Sequence, residues 1–283
     1  MSGRLVRFFE GLLGRRAETE DADARPSAAQ QSSVLADVDA QSVIIFSFNY
    51  DRALSGIDVT DADHGMERVL SMLGHLKVRA AFQCPAHLAD TAPAQVVMIR
   101  DAGHEIVCHG YAHESLGTLT DDQLARLVLR CREEYGIRGI EPLGFHPPGH
   151  VHDSRLPAQL AVQGFRFVTE LEHKGRPRLL ATRPNPIVRM PIASNDSGYM
   201  RHPDDPQHVY AKHRRLIDKY ARHGRLLALN YHVWMLGDRK ERIEDVVLLI
   251  EEARKRQLRI CTFSEALPAR FLPVQPRMPE TSA

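Results

Sequence analysis

"GHEIVCHGYAHESL", residues 103–116, joins a short apolar run to two histidines four apart, His109 and His113. Ile106, Val107 and Cys108 are too few for a helix and read as a buried strand. Gly110 punctuates the run, and Thr120 has the chemistry of an N-cap for the helix that follows. Side chains at the carboxyl end of a strand, just before a helix, sit where α/β folds keep their chemistry. The two imidazoles can therefore converge on one ion. The same spacing also suits two solvated histidines, because a chain with 15 histidines produces H-x3-H by accident.

Working outward, the chain alternates strand and helix. "SVIIFSF" (42–48) reads as a buried strand, and Met66, Val69, Leu70 and Leu73 mark one helical face. "RAAFQC" (79–84) is a second strand, with a helix around 93–102 before the strand that ends at His109. Leu124, Leu127, Val128 and Cys131 form the apolar stripe of a helix near 121–135. Short strands are expected at 143–146, 166–168 and 187–192, a helix at 207–223, a strand at 225–231, a helix at 240–256 and a strand at 258–262. Repeated βα units imply a parallel sheet, and about seven of them suggest a barrel rather than an open sheet.

Composition narrows the function classes. The chain has 283 residues and 43% hydrophobic content, enough for a sizeable core. A net charge of +1 gives no electrostatic case for nucleic acid. Cys84, Cys108, Cys131 and Cys261 form no C-x2-C pair, as expected of reduced packing thiols in a cytosolic protein. No apolar run reaches the roughly 18–20 residues of a membrane span. Residues 1–16 place Leu5, Phe8, Phe9, Leu12 and Leu13 on one helical face, ringed by Arg4, Arg7, Arg15 and Arg16. Such a helix can lie on the inner face of an anionic membrane or dock on protein. Residues 17–40 read as a flexible linker, 41–268 as the barrel, and 269–283 as an irregular, proline-rich tail.

Polar groups recur where the strands end. The first strand runs into Asn49 and Asp51, the third into His109 and His113, and the fourth into "GFHPPGH" with His146 and His150. Asp196 follows the strand at 187–192, and His232 and Trp234 follow the strand at 225–231. His150 and His152, flanking a Pro-Pro-Gly turn, read as solvated rim residues. Several strands ending in titratable side chains are harder to dismiss than one histidine pair.

With these motifs in order, the chain resembles the polysaccharide deacetylase superfamily, carbohydrate esterase family four, on its allantoinase-like and peptidoglycan-deacetylase-like side. The resemblance spans roughly residues 42–267. It rests on "GMERVLSMLGHLKVRAAFQCPAHLAD", "DAGHEIVCHGYAHESL", "GFHPPGH" and "LNYHVWMLGDR". It implies a distorted, incomplete (β/α) barrel of about seven parallel strands. It also implies a divalent metal, zinc by expectation, held by Asp51, His109 and His113. His232 would protonate a leaving amine with Asp196 as its acidic partner, while Trp234, Pro147 and Arg239 would line or brace the substrate site. Two imidazoles and a carboxylate leave open positions for water and an amide oxygen. The helical zincin motif does not apply, because H-E-x-x-H needs Glu where Gly110 stands.

Two departures stand out. The family's first motif supplies an Asp base where this chain has Asn49, and its third motif supplies an Arg where this chain has His146. An amide side chain cannot take a proton from water at neutral pH. Either His146 is the base, or Asn49 orients the reactants without one, or the barrel binds a carbohydrate without turnover. The expectation is hydrolysis of a carbon–nitrogen bond other than a peptide bond, above all N-deacetylation of an amino sugar or polysaccharide. The alternative is a catalytically impaired deacetylase-like barrel that binds carbohydrate or serves as a scaffold.

Overall fold

The computed structural model describes residues 42–272, apart from 53–57, 174–175, 203–204, 206 and 224. The amphipathic segment 1–16, the linker 17–40 and most of the tail lie outside the described residues. β1 (Val43–Asn49) is buried along its whole length, as its near-continuous apolar sequence requires of a strand covered on both faces. α1 (Val59–Leu76) starts at Asp58, whose carboxylate accepts from the Thr60 amide at 2.8 Å. β2 (Ala81–Cys84), α2 (Leu88–Thr91), α3 (Pro93–Asp101) and β3 (Glu105–Cys108) follow. α4 (Asp121–Ile137) begins at Thr120 as expected, with a capping box closed by Gln123.

The second half contains β4 (Gly144–Phe145), α5 (Leu156–Val162), β5 (Phe167–Leu171), β6 (Arg178–Leu180), β7 (Ile187–Ile192) and β8 (Ser194–Asn195). Then come α6 (Gly198–Arg201), α7 (His208–His223), β9 (Leu227–His232), α8 (Val233–Asp238), α9 (Lys240–Lys255), β10 (Arg259–Ile260) and α10 (Phe263–Ala266). The strand order is β6-β7-β5-β4-β3-β2-β1-β9-β8, with β10 also paired to β1. All pairings are parallel except β6 with β7. The sheet curls until the chain leaving β7 beside β5 arrives, as β8, beside β9. The Ala193 amide donates to the Ala228 carbonyl at 2.9 Å there. Closure is confined to this short stretch, so the barrel is incomplete and built of seven parallel staves, β7 and β8 counting as one.

Strand parity separates two cores. Ile44, Phe46 and Phe48 face the surrounding helices, whereas Val43, Ile45, Ala81, Val107, Phe167, Val188 and Met190 fill the barrel. Gly144 is demanded by this inner packing, because a Cβ there would lie 2.0 Å from the Phe167 ring. The inward series of β1 continues as Ser47 and Asn49, so the filling turns polar toward the strands' carboxyl ends.

Seven of these elements, all short, were not expected from the sequence: α2, α5, β6, β8, α6, α8 and α10. β6 is an antiparallel strand joined to β7 through a turn at 181–186, in which the Thr182 hydroxyl bonds the Asn185 carbonyl at 2.6 Å. α5 follows the Pro-Pro-Gly turn. α8 starts immediately after β9, with His232 at its N-cap position. The packed region also continues past residue 268, since Phe271 is buried against the inner cluster.

Candidate active site

Parity brings the strand ends together. The β1–β9 register pairs Asn49 with His232, and the β1–β2 register pairs Asn49 with Gln83. Cys108 pairs with Phe145 and Phe145 with Val168, which aligns His109, His146 and Thr169 one residue further on. Asp51 lies just past β1 between two anchored neighbours. Tyr50 donates its hydroxyl to Asp63 of α1, and Arg52 grips the same carboxylate at 2.8 and 3.1 Å. The turn after β3 is equally pinned, because Glu114 accepts from the amides of Tyr111 and Ala112 at 3.0 and 2.8 Å. Gly110 (φ 74°) allows the close approach of Glu114 and Pro148, and His113 itself adopts φ 61°. A non-glycine residue in the left-handed region costs of order 1 kcal/mol and is held there by its surroundings.

Asp51, His109 and His113 each offer a ligand atom, and the three atoms lie within 4.8 Å of one another. The Nδ1–H of His109 donates to the His146 carbonyl at 2.7 Å, which leaves Nε2 as a bare lone pair. That Nε2 stands 3.4 Å from Asp51 Oδ1, and both atoms are buried without a hydrogen-bond partner. Protonating His109 would satisfy the contact, but burial, reinforced by the nearby His113, holds its pKa well below the usual histidine value. Two buried acceptors facing each other call for a cation between them. Tetrahedral zinc with arms near 2.1 Å spaces its ligands by about 3.4 Å. The residues fit a divalent metal.

His232 and Asp196 form a second unit. The His232 amide donates to Asp196 Oδ2 at 2.7 Å and its Nδ1 lies 2.8 Å from Oδ1, so one carboxylate fixes ring and backbone together. Burial alone would lower the His232 pKa, but the charge and hydrogen bond of Asp196 outweigh it and raise the value. Asp51 is shifted upward by burial, with His113 and His232 pulling the other way. The two units therefore feel each other's charge.

His146 is fully buried. Its ring stacks on His109 at 4.9 Å between centroids and its Nδ1 meets the Thr169 hydroxyl at 2.6 Å. Burial, helped by the neighbouring His150, depresses its pKa well below the histidine value. Asn49 accepts from the Asn230 side-chain amide at 3.1 Å, and Asn230 in turn accepts from the Ser47 hydroxyl at 2.9 Å. That chain of donors sets the Asn49 amide with its oxygen occupied and its NH2 left to donate.

Residues 42–168 match the family model for polysaccharide deacetylase. Over these residues, a little under half of its length, the chain is similar to the polysaccharide deacetylases. A peptidoglycan deacetylase from Helicobacter pylori is 30% identical over 110 residues, which is 38% of this chain and 38% of that protein. The alignment therefore spans well under half of the curated relative. A structure assigned as a polysaccharide deacetylase from Mycobacterium smegmatis superposes with a TM-score of 0.70 at 22% identity, over 80% of this chain and 88% of that one. A pseudoenzyme of carbohydrate esterase family four from Bacillus anthracis gives 0.55 at 12% identity, over 81% and 66%. At these identities the structural likeness speaks to the fold.

Within this deacetylase-type barrel the remaining candidates separate. Pro147 is buried beside His146, and Trp234 is half-buried with its ring 6.2 Å from His232 and its indole N–H buried without an acceptor. Arg239 is more than half exposed at the start of α9, 3.7 Å from exposed Asp238, so it serves as a surface ion pair rather than a pocket residue. His152 is exposed and pairs with Glu170 at 2.9 Å. His150, expected at the solvated rim, instead packs its ring 4.7 Å from His146, with Nδ1 buried and Nε2 3.3 Å from the Asn195 amide. Burial takes its pKa down to about 3. Gln83, absent from the sequence candidates, is fully buried at the level of Asn49 with both amide atoms lacking a partner. An inward-parity Gln inside "RAAFQC" was the available signal.

Proposed function

We propose that the chain is a metal-dependent amide hydrolase that removes an acyl group, most simply acetyl, from an amino sugar of a polysaccharide such as peptidoglycan. The observation that carries this reading is the buried acceptor pair at 3.4 Å, His109 Nε2 against Asp51 Oδ1, beside the His232–Asp196 unit. A divalent ion, zinc on ligand type, would polarise the amide carbonyl and acidify water when bound. Asp51, His109 and His113 would hold it, with the His146 carbonyl fixing the His109 tautomer.

Asn49 donates through its NH2 and orients the reactants, but takes no proton. His146 is a poor base, because charging a fully buried ring beside other histidines is costly. His232 is the group suited to proton transfer. Asp196 holds Nδ1, so Nε2 takes the proton of the attacking water and passes it to the leaving amine. Trp234 offers a ring face to the sugar.

A second reading rests on Asn49 itself. With no carboxylate at that position, the barrel binds acylated carbohydrate without turning it over; the fold is shared by a pseudoenzyme of carbohydrate esterase family four. One experiment decides between the two. Metal content of the purified protein is measured alongside acetate release from acetylated chitooligosaccharides and peptidoglycan, for wild type and His109→Ala. About one metal per chain and His109-dependent release support the hydrolase. Metal and sugar binding without release support the second reading, and a protein that takes up no zinc defeats both.

A further inference from the structure

The end of the barrel opposite the active site carries a cavity of about 310 Å³ lined by Lys77, Val78, Arg79, Arg254, Leu258, Ile260 and Glu265. It lies where α1 and α9 finish and where β2 and β10 begin. Arg79 is committed to Glu265, and Arg254 donates to the Leu76 carbonyl. Three cations against one carboxylate leave an excess of two positive charges around a wall of Val78, Leu258 and Ile260. Basic residues at helix C-termini are favoured by the helix dipole alone, which explains one such residue per helix but not their convergence on a cavity.

A second observation points the same way. β10, which supplies Ile260 to the cavity, pairs with the first residues of β1, and the Ser42 carbonyl accepts from the Arg259 amide at 3.0 Å. The 41 residues before Ser42 therefore join the barrel beside this cavity. Among them, 4–16 carry Arg4, Arg7, Arg15 and Arg16 with Leu5, Phe8, Phe9, Leu12 and Leu13. Beyond the linker 17–40, the chain that enters the fold next to this cationic cavity with its apolar wall carries cationic and apolar sequence.

We propose that this end of the barrel docks on an anionic phospholipid surface, the cavity taking a headgroup phosphate between Lys77 and Arg254. Docked this way, the strands' carboxyl ends and the active site face away from the membrane. The surface acts independently of whether the barrel hydrolyses its ligand.

The test uses the full chain and phosphatidylcholine vesicles with and without phosphatidylglycerol, read by co-sedimentation. Wild type should sediment with the phosphatidylglycerol vesicles only. Each basic residue near an anionic surface contributes about fivefold in partitioning, so Lys77→Gln with Arg254→Gln should lower it about 30-fold. Both side chains are exposed, so the fold should tolerate the change. Glu265→Gln keeps the α10 capping box and removes the lone carboxylate, and should strengthen binding about fivefold. Lys240→Gln, at the other end of α9, should change nothing. Unaltered partitioning in the double variant overturns the proposal. So does competition by glycerol phosphate without vesicle binding, which would mark a free phosphate ligand. A rise in the double variant would show that the acidic segment around Glu18, Glu20, Asp21 and Asp23 occupies the cavity instead, and would equally overturn it.

Discussion

A carboxylate oxygen and a bare imidazole nitrogen repel at 3.4 Å unless something positive lies between them, and this contact between Asp51 and His109 sets the chemistry of the site. The proton-transfer role proposed for His232 rests on Asp196 in the same way. His232 must start neutral to accept a proton, so activity should fall as pH drops through its raised pKa. Asp196→Asn lowers that pKa, which should move the acid limb of the kcat/KM profile to lower pH while kcat falls about 100-fold or more. His146→Gln, which keeps a neutral side chain, should leave the limb in place; its loss in that variant would make His146 the base. Asn49→Asp restores a carboxylate that can still accept from Asn230, and should raise kcat about tenfold or more in acetate-release assays. An unchanged rate would show that the missing base does not limit turnover in this barrel. The residues named here are visible as letters in the sequence. Their partners are not, because Thr169, Asn230 and the His146 carbonyl come from other strands.

Among the elements, α1 and α8 join at a close glycine-to-backbone approach. A Cβ on Gly65 would lie 2.1 Å from the Val233 carbonyl, and one on Gly237 would lie 2.5 Å from the Gly65 Cα. Gly65→Ala should therefore lower stability to urea by about 1–3 kcal/mol and disturb His232, the residue preceding α8. α7 is fixed by His213, fully buried, with Nδ1 2.7 Å from the Tyr231 hydroxyl and Nε2 3.0 Å from the Ser194 hydroxyl. Burial first, and Lys212 second, take its pKa down to about 3. The unfolded chain binds this proton near pH 6.5 while the folded chain does not, so the stability tied to neutral His213 is full above pH 6.5 and lost as pH falls below it. His213→Phe should cost about 2–4 kcal/mol at pH 7.5, by removing the buried partner of the Tyr231 and Ser194 hydroxyls, and about 2 kcal/mol less at pH 5. A pH-independent cost in urea melts would contradict this. The expected spans of α4, α7 and α9, and the Thr120 N-cap of α4, match the structure closely. α8 and β6 escaped because a six-residue helix and a three-residue edge strand draw their stability from contacts, not from local pattern.

For the molecule as a whole, a metal held by ligands from two strand ends, after β1 and after β3, that meet only in the folded barrel would link binding to stability. Zinc at 100-fold its dissociation constant stabilises by about 2.7 kcal/mol, equivalent to roughly 5–10 °C in Tm for a domain of this size. Chelator treatment should lower Tm by that amount and zinc should restore it, whereas Asp51→Ala should respond to neither. Alternation of apolar strands with amphipathic helices determined the parallel barrel from the sequence alone, because burial on both faces writes itself into every strand. The ordered motifs likewise pointed to the family resemblance and to Asp51, His109 and His113, whose ligand atoms the fold gathers within 4.8 Å. Only the tertiary structure decided which polar groups share a layer. It moved His150 into the histidine cluster, put Gln83 beside Asn49, left Arg239 on the surface and locked Asp196 to His232. Such placements depend on strand register and parity, and a shift of one residue would turn each side chain to the opposite face without changing any local pattern.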